Sequence, residues 1–140
     1  MRSKSTATAA VLLACSSALW LASTAGADET VEAFVARYEL ALDRGDPELL
    51  RAVYEDWSPE KEGRLHEYFT ETVREFNVEF SDIEVVEADE ARAQIRFVRR
   101  DRFTDARSGQ RVEKQLRLDR MLHRYGGLWK LVTTSDSSWR

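Results

Sequence analysis

The sequence predicts an α+β domain, three helices followed by a curved antiparallel sheet of four strands. Three observations carry this reading. Apolar residues recur at helical spacing up to about residue 76 and alternate from about residue 78. The charge changes sign along the chain, with 20 acids against 6 bases over residues 28–90 and 5 acids against 13 bases over 91–140. Both prolines, Pro47 and Pro59, follow capping residues, Asp46 and Ser58, as they do at helix starts. A run of helices followed by a run of hairpin-linked strands places the helices on one side of an antiparallel sheet.

The elements follow in order. Over Asp28 to Asp43, Val31, Phe34, Val35, Tyr38, Ala41 and Leu42 form one apolar stripe, and Glu32, Arg37 and Glu39 lie off it. Asp28 or Thr30 caps its first amides, and Gly45 ends it in the left-handed conformation. Asp46-Pro47-Glu48 opens a second, shorter helix with Leu49, Leu50 and Val53 on its apolar face. Ser58-Pro59-Glu60 opens a third, predicted to run to about Phe76 because Leu65, Phe69, Val73 and Phe76 share one face. The first strand starts at Val78 and is predicted to break near Ser81-Asp82. After the turn at Ala88-Asp89-Glu90, Ala93, Ile95 and Phe97 alternate with Arg92, Gln94 and Arg96, a half-buried strand whose inward phase continues through Arg99, Asp101 and Phe103. A polar loop over 105–109 leads to a third strand, Val112 to Arg124. Gly126-Gly127 makes a tight hairpin into the last strand, Leu128 to Thr134.

Residues 1–27 read as a segment outside the fold. Arg2 and Lys4 form a basic head, Ala9 to Leu21 an interrupted apolar middle, and Ala25-Gly26-Ala27 a small-residue cleavage signal, the pattern of a secretory leader removed after Ala27. The apolar stretch is too short and too interrupted to span a bilayer well. Leu12-Leu13-Ala14-Cys15 offers a second reading, a lipoprotein anchored at Cys15. Cleavage after Ala27 discards that only cysteine, so residues 28–140 hold neither disulfide nor thiolate. They form one domain, exported to the periplasm or beyond, with 25 acids against 19 bases. That balance in an exported protein argues against a nucleic-acid partner.

The arrangement resembles the nuclear transport factor 2-like superfamily, and four stretches carry the likeness. Leu40-Ala41-Leu42-Asp43-Arg44-Gly45-Asp46 is similar to the end of that family's first helix. A second helix follows at once. Ile95 to Phe103 resembles its long central strand, and Gly126-Gly127-Leu128-Trp129-Lys130-Leu131 its last hairpin. The resemblance covers about residues 28–134. It implies a cone-shaped fold, a pocket at the open end, and a homodimer through the sheet as one assembly. The superfamily includes isomerases, SnoaL-like cyclases, dehydratases and proteins that only bind, so fold alone does not choose an activity.

Candidate chemistry lies where inward-phased positions are polar. Arg99 and Asp101 are the foremost: either a guanidinium that orients a ligand beside a general base, or an ion pair, or a bulge turning both outward. Lys114 and Arg120 interrupt the apolar phase of the third strand in the same way. Tyr38, Tyr54, Trp57, Tyr68 and Trp129 are candidate pocket walls or core. His66 and His123 fall in phases that point to the surface or the sheet's outer face. On that outer face, Arg92, Arg96, Arg100, Arg102 and Arg117 form a candidate partner surface or a solvated one. No metal-ligand spacing, phosphate loop or nucleophile motif is present, and no cofactor is expected. The expected function is binding of a small apolar or anionic ligand or of an envelope protein. The rivals are a cofactor-free lyase, isomerase or cyclase with Asp101 as base, and a docking module using the arginine face.

Overall fold

In a computed structural model, which describes residues 28–132, three short helices cover one face of a four-stranded antiparallel meander. Helix α1 spans Val31–Arg44, α2 Pro47–Val53 and α3 Pro59–Glu67. The strands are β1 Val73–Ala88, β2 Arg92–Asp105, β3 Arg111–Tyr125 and β4 Leu128–Leu131, hydrogen-bonded in the order β1-β2-β3-β4.

The helix ends obey the local chemistry. The Thr30 hydroxyl accepts from the Ala33 amide at 3.1 Å, the Asp46 carboxylate from Glu48 at 2.9 Å, and the Ser58 hydroxyl from Lys61 at 3.1 Å. Gly45 closes α1 at φ 58°, its amide donating to the carbonyls of Ala41 and Leu42.

Every residue of the predicted α1 stripe is buried, and the stripe packs against the inner face of the sheet. Tyr38 meets Phe80 at 5.1 Å between ring centroids, and Phe80 meets Phe97 at 4.7 Å. Arg37, off that stripe, ties three elements together. It donates to Glu29 at 2.9 and 3.0 Å, to the Ala52 carbonyl near the end of α2 at 3.1 Å, and to the Trp129 carbonyl of β4 at 2.8 Å.

The first strand departs from the sequence reading. The third helix stops at Glu67 rather than near Phe76. One π-helical turn, Tyr68–Thr72, follows, and Val73 already pairs with Asp105. The pattern that suggested a longer helix is satisfied differently. Phe69 and Phe76 pack edge to face at 5.2 Å across the bend, so their contact needs no continuous helix. Ser81-Asp82 does not break the strand. A register shift between Ser81 and Glu84, with Asp82 at φ 50°, makes it a bulge inside one 16-residue strand, and bulges bend sheets. Val85 and Val86 are both exposed, since the strand runs beyond the helical layer there. The last strand ends at Leu131; its predicted continuation through Thr133 and Thr134 lies outside the described residues.

The acidic character of the helical layer has a structural use at the edge strand. The Asp43 carboxylate accepts from the Asn77 side chain and the Val78 amide, both at 3.0 Å, and the Glu39 carboxylate accepts from the Phe80 amide at 3.0 Å. Edge-strand amides that have no neighbouring strand are thus bonded by helix side chains.

Two glycine substitutions test this account in opposite directions. A Cβ at Gly45 would meet the Phe69 ring at 2.8 Å in a left-handed backbone, so Gly45→Ala is expected to lose at least about 1–2 kcal/mol. Gly63 lies inside α3 with nothing within 4 Å of its Cβ position, so Gly63→Ala is expected to gain about 0.5–1 kcal/mol. Urea unfolding of the two variants checks both signs.

Candidate functional site

The inner face of β2 changes character halfway along. Ala93, Ile95 and Phe97 are buried against α1, as their alternation requires. The next two inward residues are charged and remain inside: Arg99 is 2% exposed and Asp101 1%. The Arg99 Nε donates to Asp101 Oδ1 at 2.7 Å, a charge-assisted bond between neighbours on one strand face. The ion pair is therefore present and buried, and no bulge turns the two residues outward.

Tyrosines from the helical layer surround the pair. Tyr38 comes from α1, Tyr54 from the end of α2 and Tyr68 from the π turn. Burial pushes the Tyr54 phenol well above its ordinary value; Tyr38 adds to the rise, and Arg99 and Arg120 oppose it. Burial raises Tyr68 as well, the Asp101 charge adding and Arg99 opposing. Burial alone would lower Arg99, but Tyr38, Asp101 and Tyr54 outweigh it and hold the guanidinium above its usual range. Asp101 stands among these groups as the one buried carboxylate of the described residues.

The Trp57 and Trp129 Nε1 atoms are buried without a hydrogen-bond partner, and the Tyr54 Oη is buried with only the Tyr38 side chain near it. The Tyr54 and Trp57 rings lie 6.0 Å apart. Lys61, a residue that the sequence did not single out, is 7% exposed and stands 4.0 Å above the Tyr54 ring. It sits on α3 four residues before Leu65, the spacing that places it on the buried face, but its charge argued for solvent.

The remaining candidates are dispersed. Arg120 is half-buried near Tyr54. Lys114 is exposed at the far end of β3, lying over the Phe103 ring at 5.5 Å, because β3 outruns the helices there. Trp129 is a core residue, 1% exposed, with Arg124 stacked 4.1 Å above it. His66 is exposed on α3. His123 is half-buried, its Nδ1 3.0 Å from the Glu55 carboxylate, which also accepts from the Tyr125 hydroxyl. Tyr125 and then His123 hold the Glu55 carboxyl below its ordinary value. Asp43 and Asp46 serve as backbone acceptors, and no cluster able to hold a metal ion occurs among the described residues.

The outer-face arginines meet acids from both neighbouring strands. Arg96 pairs with Asp119 at 3.1 Å, and Arg100 and Arg102 approach Glu113 at 3.4 and 3.7 Å. In register, β1 sets Glu79 opposite Arg100 and Glu84 opposite Arg96. Arg92 and Arg117 are exposed and make no ion pair among the described residues. An open depression of about 380 Å³ lies on this face, with Asp82, Glu84, Arg96, Arg117 and Asp119 around it, so its lining is of mixed sign.

Helices on one face of a bent, antiparallel meander are shared with several solved structures. A hexachlorocyclohexane dehydrochlorinase, LinA type 2, superposes with a TM-score of 0.63 at 12% identity, covering 80% of this chain and 82% of its own. A nuclear transport factor 2-like superfamily protein from Salmonella enterica serovar Typhimurium gives 0.57 at 14%, covering 75% and 90%. The chain has the nuclear transport factor 2-like fold. The intermembrane space region of the chloroplast protein ARC6 shares it too, with a TM-score of 0.55 at 14% identity over 73% of this chain and 89% of that one. No family model matches the chain, and no curated protein matches it in sequence. Within this nuclear transport factor 2-like fold a dehydrochlorinase and the intermembrane space region of a chloroplast protein stand side by side, so the fold assigns no specific reaction.

The buried pair makes a testable demand. Arg99→Met leaves the Asp101 charge buried and unpaired, and a loss of about 3–5 kcal/mol is expected. In the double variant Arg99→Met, Asp101→Leu most of that loss is recovered, since no uncompensated charge remains. Urea melts of the two variants measure the difference.

Proposed function

We propose that the chain is an exported small-ligand-binding domain whose site is the cone interior around Arg99 and Asp101. The supporting observation is the collection of costly groups that a purely structural core would not need. An ion pair, an unpartnered indole N–H, a poorly partnered phenol and a lysine are gathered among Tyr38, Tyr54 and Trp57, where burial of apolar side chains alone would be more stable. Aromatic walls with a few polar groups are the usual composition of small-molecule sites. Arg120, half-buried near Tyr54, and Trp57, also half-buried, are the members that reach solvent. The charge balance of the outer sheet face supports this choice over arginine-led docking, because its acids answer most of its bases.

Export rests on the leader pattern of residues 1–27, and no helix of the described residues is long and apolar enough to cross a membrane. Expression of the full chain in a bacterial host, followed by intact-mass analysis, is expected to yield a species beginning at Asp28. A lipid-modified species beginning at Cys15, or a chain retaining Met1, contradicts this reading.

Ligand binding is tested by recording the indole N–H resonances of Trp57 and Trp129 against a fragment library. Fragments that enter are expected to shift the signal of Trp57, whose ring lies beside Tyr54, more than that of Trp129, and to lose affinity about tenfold or more in a Tyr54→Phe, Arg99→Lys background. A library that moves neither resonance contradicts the proposal.

A second reading rests on the burial of Asp101. A carboxylate held out of water beside a guanidinium is equipped to accept a proton while Arg99 balances developing negative charge. Turnover of a bound compound, abolished in Asp101→Asn with binding retained, separates this reading from simple binding.

A further inference from the structure

The groups buried around Tyr54 are unequal in charge and in hydrogen-bond character. Arg99 and Asp101 neutralise one another across their 2.7 Å bond. Lys61 has no such close counter-ion: burial lowers its ammonium pKa, and the Asp56 carboxylate opposes that fall only from beyond ion-pair distance. Its Nζ makes one hydrogen bond, to the Asp56 carbonyl at 3.3 Å, and faces the Tyr54 ring at 4.0 Å. Among the described residues no carboxylate lies within ion-pair distance of it, and the Asp56 charge is partly offset by that of Arg64. An ammonium carries three donors, and one carbonyl with one ring face does not replace the water it has lost. Close by, Trp57 Nε1 is a buried donor without a partner, Tyr54 Oη is buried with only the Tyr38 side chain near it, and the Tyr54 phenol also senses the charges of Arg99 and Arg120. Donors and positive charge are in excess here, and the one buried carboxylate of the described residues, Asp101, is already engaged by Arg99.

From this excess we infer that the interior site binds a small planar carboxylate. Its anionic group is held by the Lys61 ammonium with the Tyr54 hydroxyl and the Trp57 indole N–H, and its flat body packs against the aromatic rings of Tyr38, Tyr54 and Trp57. A carboxylate supplies the acceptors that these three groups lack and neutralises the unpaired charge. A neutral ligand leaves that charge unanswered, and a cationic one adds to it. The inference rests on the reading of the cone interior as a ligand site and adds the chemical class and the role of Lys61.

Three probes of one shape decide it: 2-naphthoate, 2-naphthamide and 2-naphthylmethylamine, titrated calorimetrically into the full chain at pH 7 and constant ionic strength. Naphthoate is expected to bind about tenfold or more tighter than the amide, the range that charge-assisted hydrogen bonds supply. Lys61→Met is expected to bring the two within about threefold, and Lys61→Arg to keep the preference, as exchange of one charge-assisted bond requires. If the amide or the amine binds as well as naphthoate, the interior remains a ligand site but the carboxylate class is overturned. A preference that survives Lys61→Met overturns the role of Lys61. Failure of all three probes at millimolar concentration overturns the class and the ligand site together. Should Lys61→Met not fold, the wild-type ratio of naphthoate to naphthamide still decides the class.

Discussion

The ion pair between Arg99 and Asp101 constrains the rest of the interior. The β2 strand carries apolar residues inward as far as Phe97 and then places two opposite charges on the same face, each almost fully out of water. Burying either alone would cost several kcal/mol, so each requires the other, and the strand must stay regular from 99 to 101 for the two side chains to meet. The paired charges in turn select their neighbours. A layer of leucines above them would leave polar atoms without company. The helical layer instead supplies Tyr38, Tyr54 and Tyr68, whose phenols lie within reach of these charges. The polar end of the cone and the apolar end are thus set by one strand, read along a single face.

The split of charge along the chain has a mechanical meaning within this frame. Acids on α1 are acceptors for the amides of β1, the sheet's edge, at Val78 and Phe80. Arg37 of the same helix reaches the carbonyls of Ala52 and Trp129. Helix α1 is therefore fastened at both margins of the sheet by polar bonds and along its middle by the Phe34–Leu42 stripe. The basic strands pair largely with acids on the strands beside them, which removes much of the potential that a run of arginines suggests when one strand is read alone.

Much of this organisation was legible in the sequence. The stripe on α1, the three helix starts and the Gly45 end follow from short-range rules, and those rules hold here because caps and periodicity act within a few residues. The four-stranded meander and the inward phase of Arg99 and Asp101 follow from period two. The stretch from Phe69 to Phe76 misled, because aromatic residues spaced for one helix face also pack across a π turn. Lys61 was missed because a lysine between two glutamates reads as solvent-facing, and only the position of Tyr54 beneath it shows otherwise. Lys114 shows what alternation leaves open, since it gives a side chain's face and says nothing of how far the opposite layer extends, whereas Trp129 took the core position that was one of its two readings. Acids brought to the outer face by β1 could not be assigned before the register with β2 was known.

The central claim is that the polar groups enclosed by this nuclear transport factor 2-like cone exist to hold a small molecule. Native mass spectrometry of the chain, expressed with its own leader in a bacterial host and purified without denaturant, addresses it most directly. The account predicts a protein carrying a dissociable small-molecule mass that is lost on collisional activation and absent from an Arg99→Met, Asp101→Leu variant of comparable stability. A bare chain, unchanged after incubation with host small-molecule extract, would contradict it.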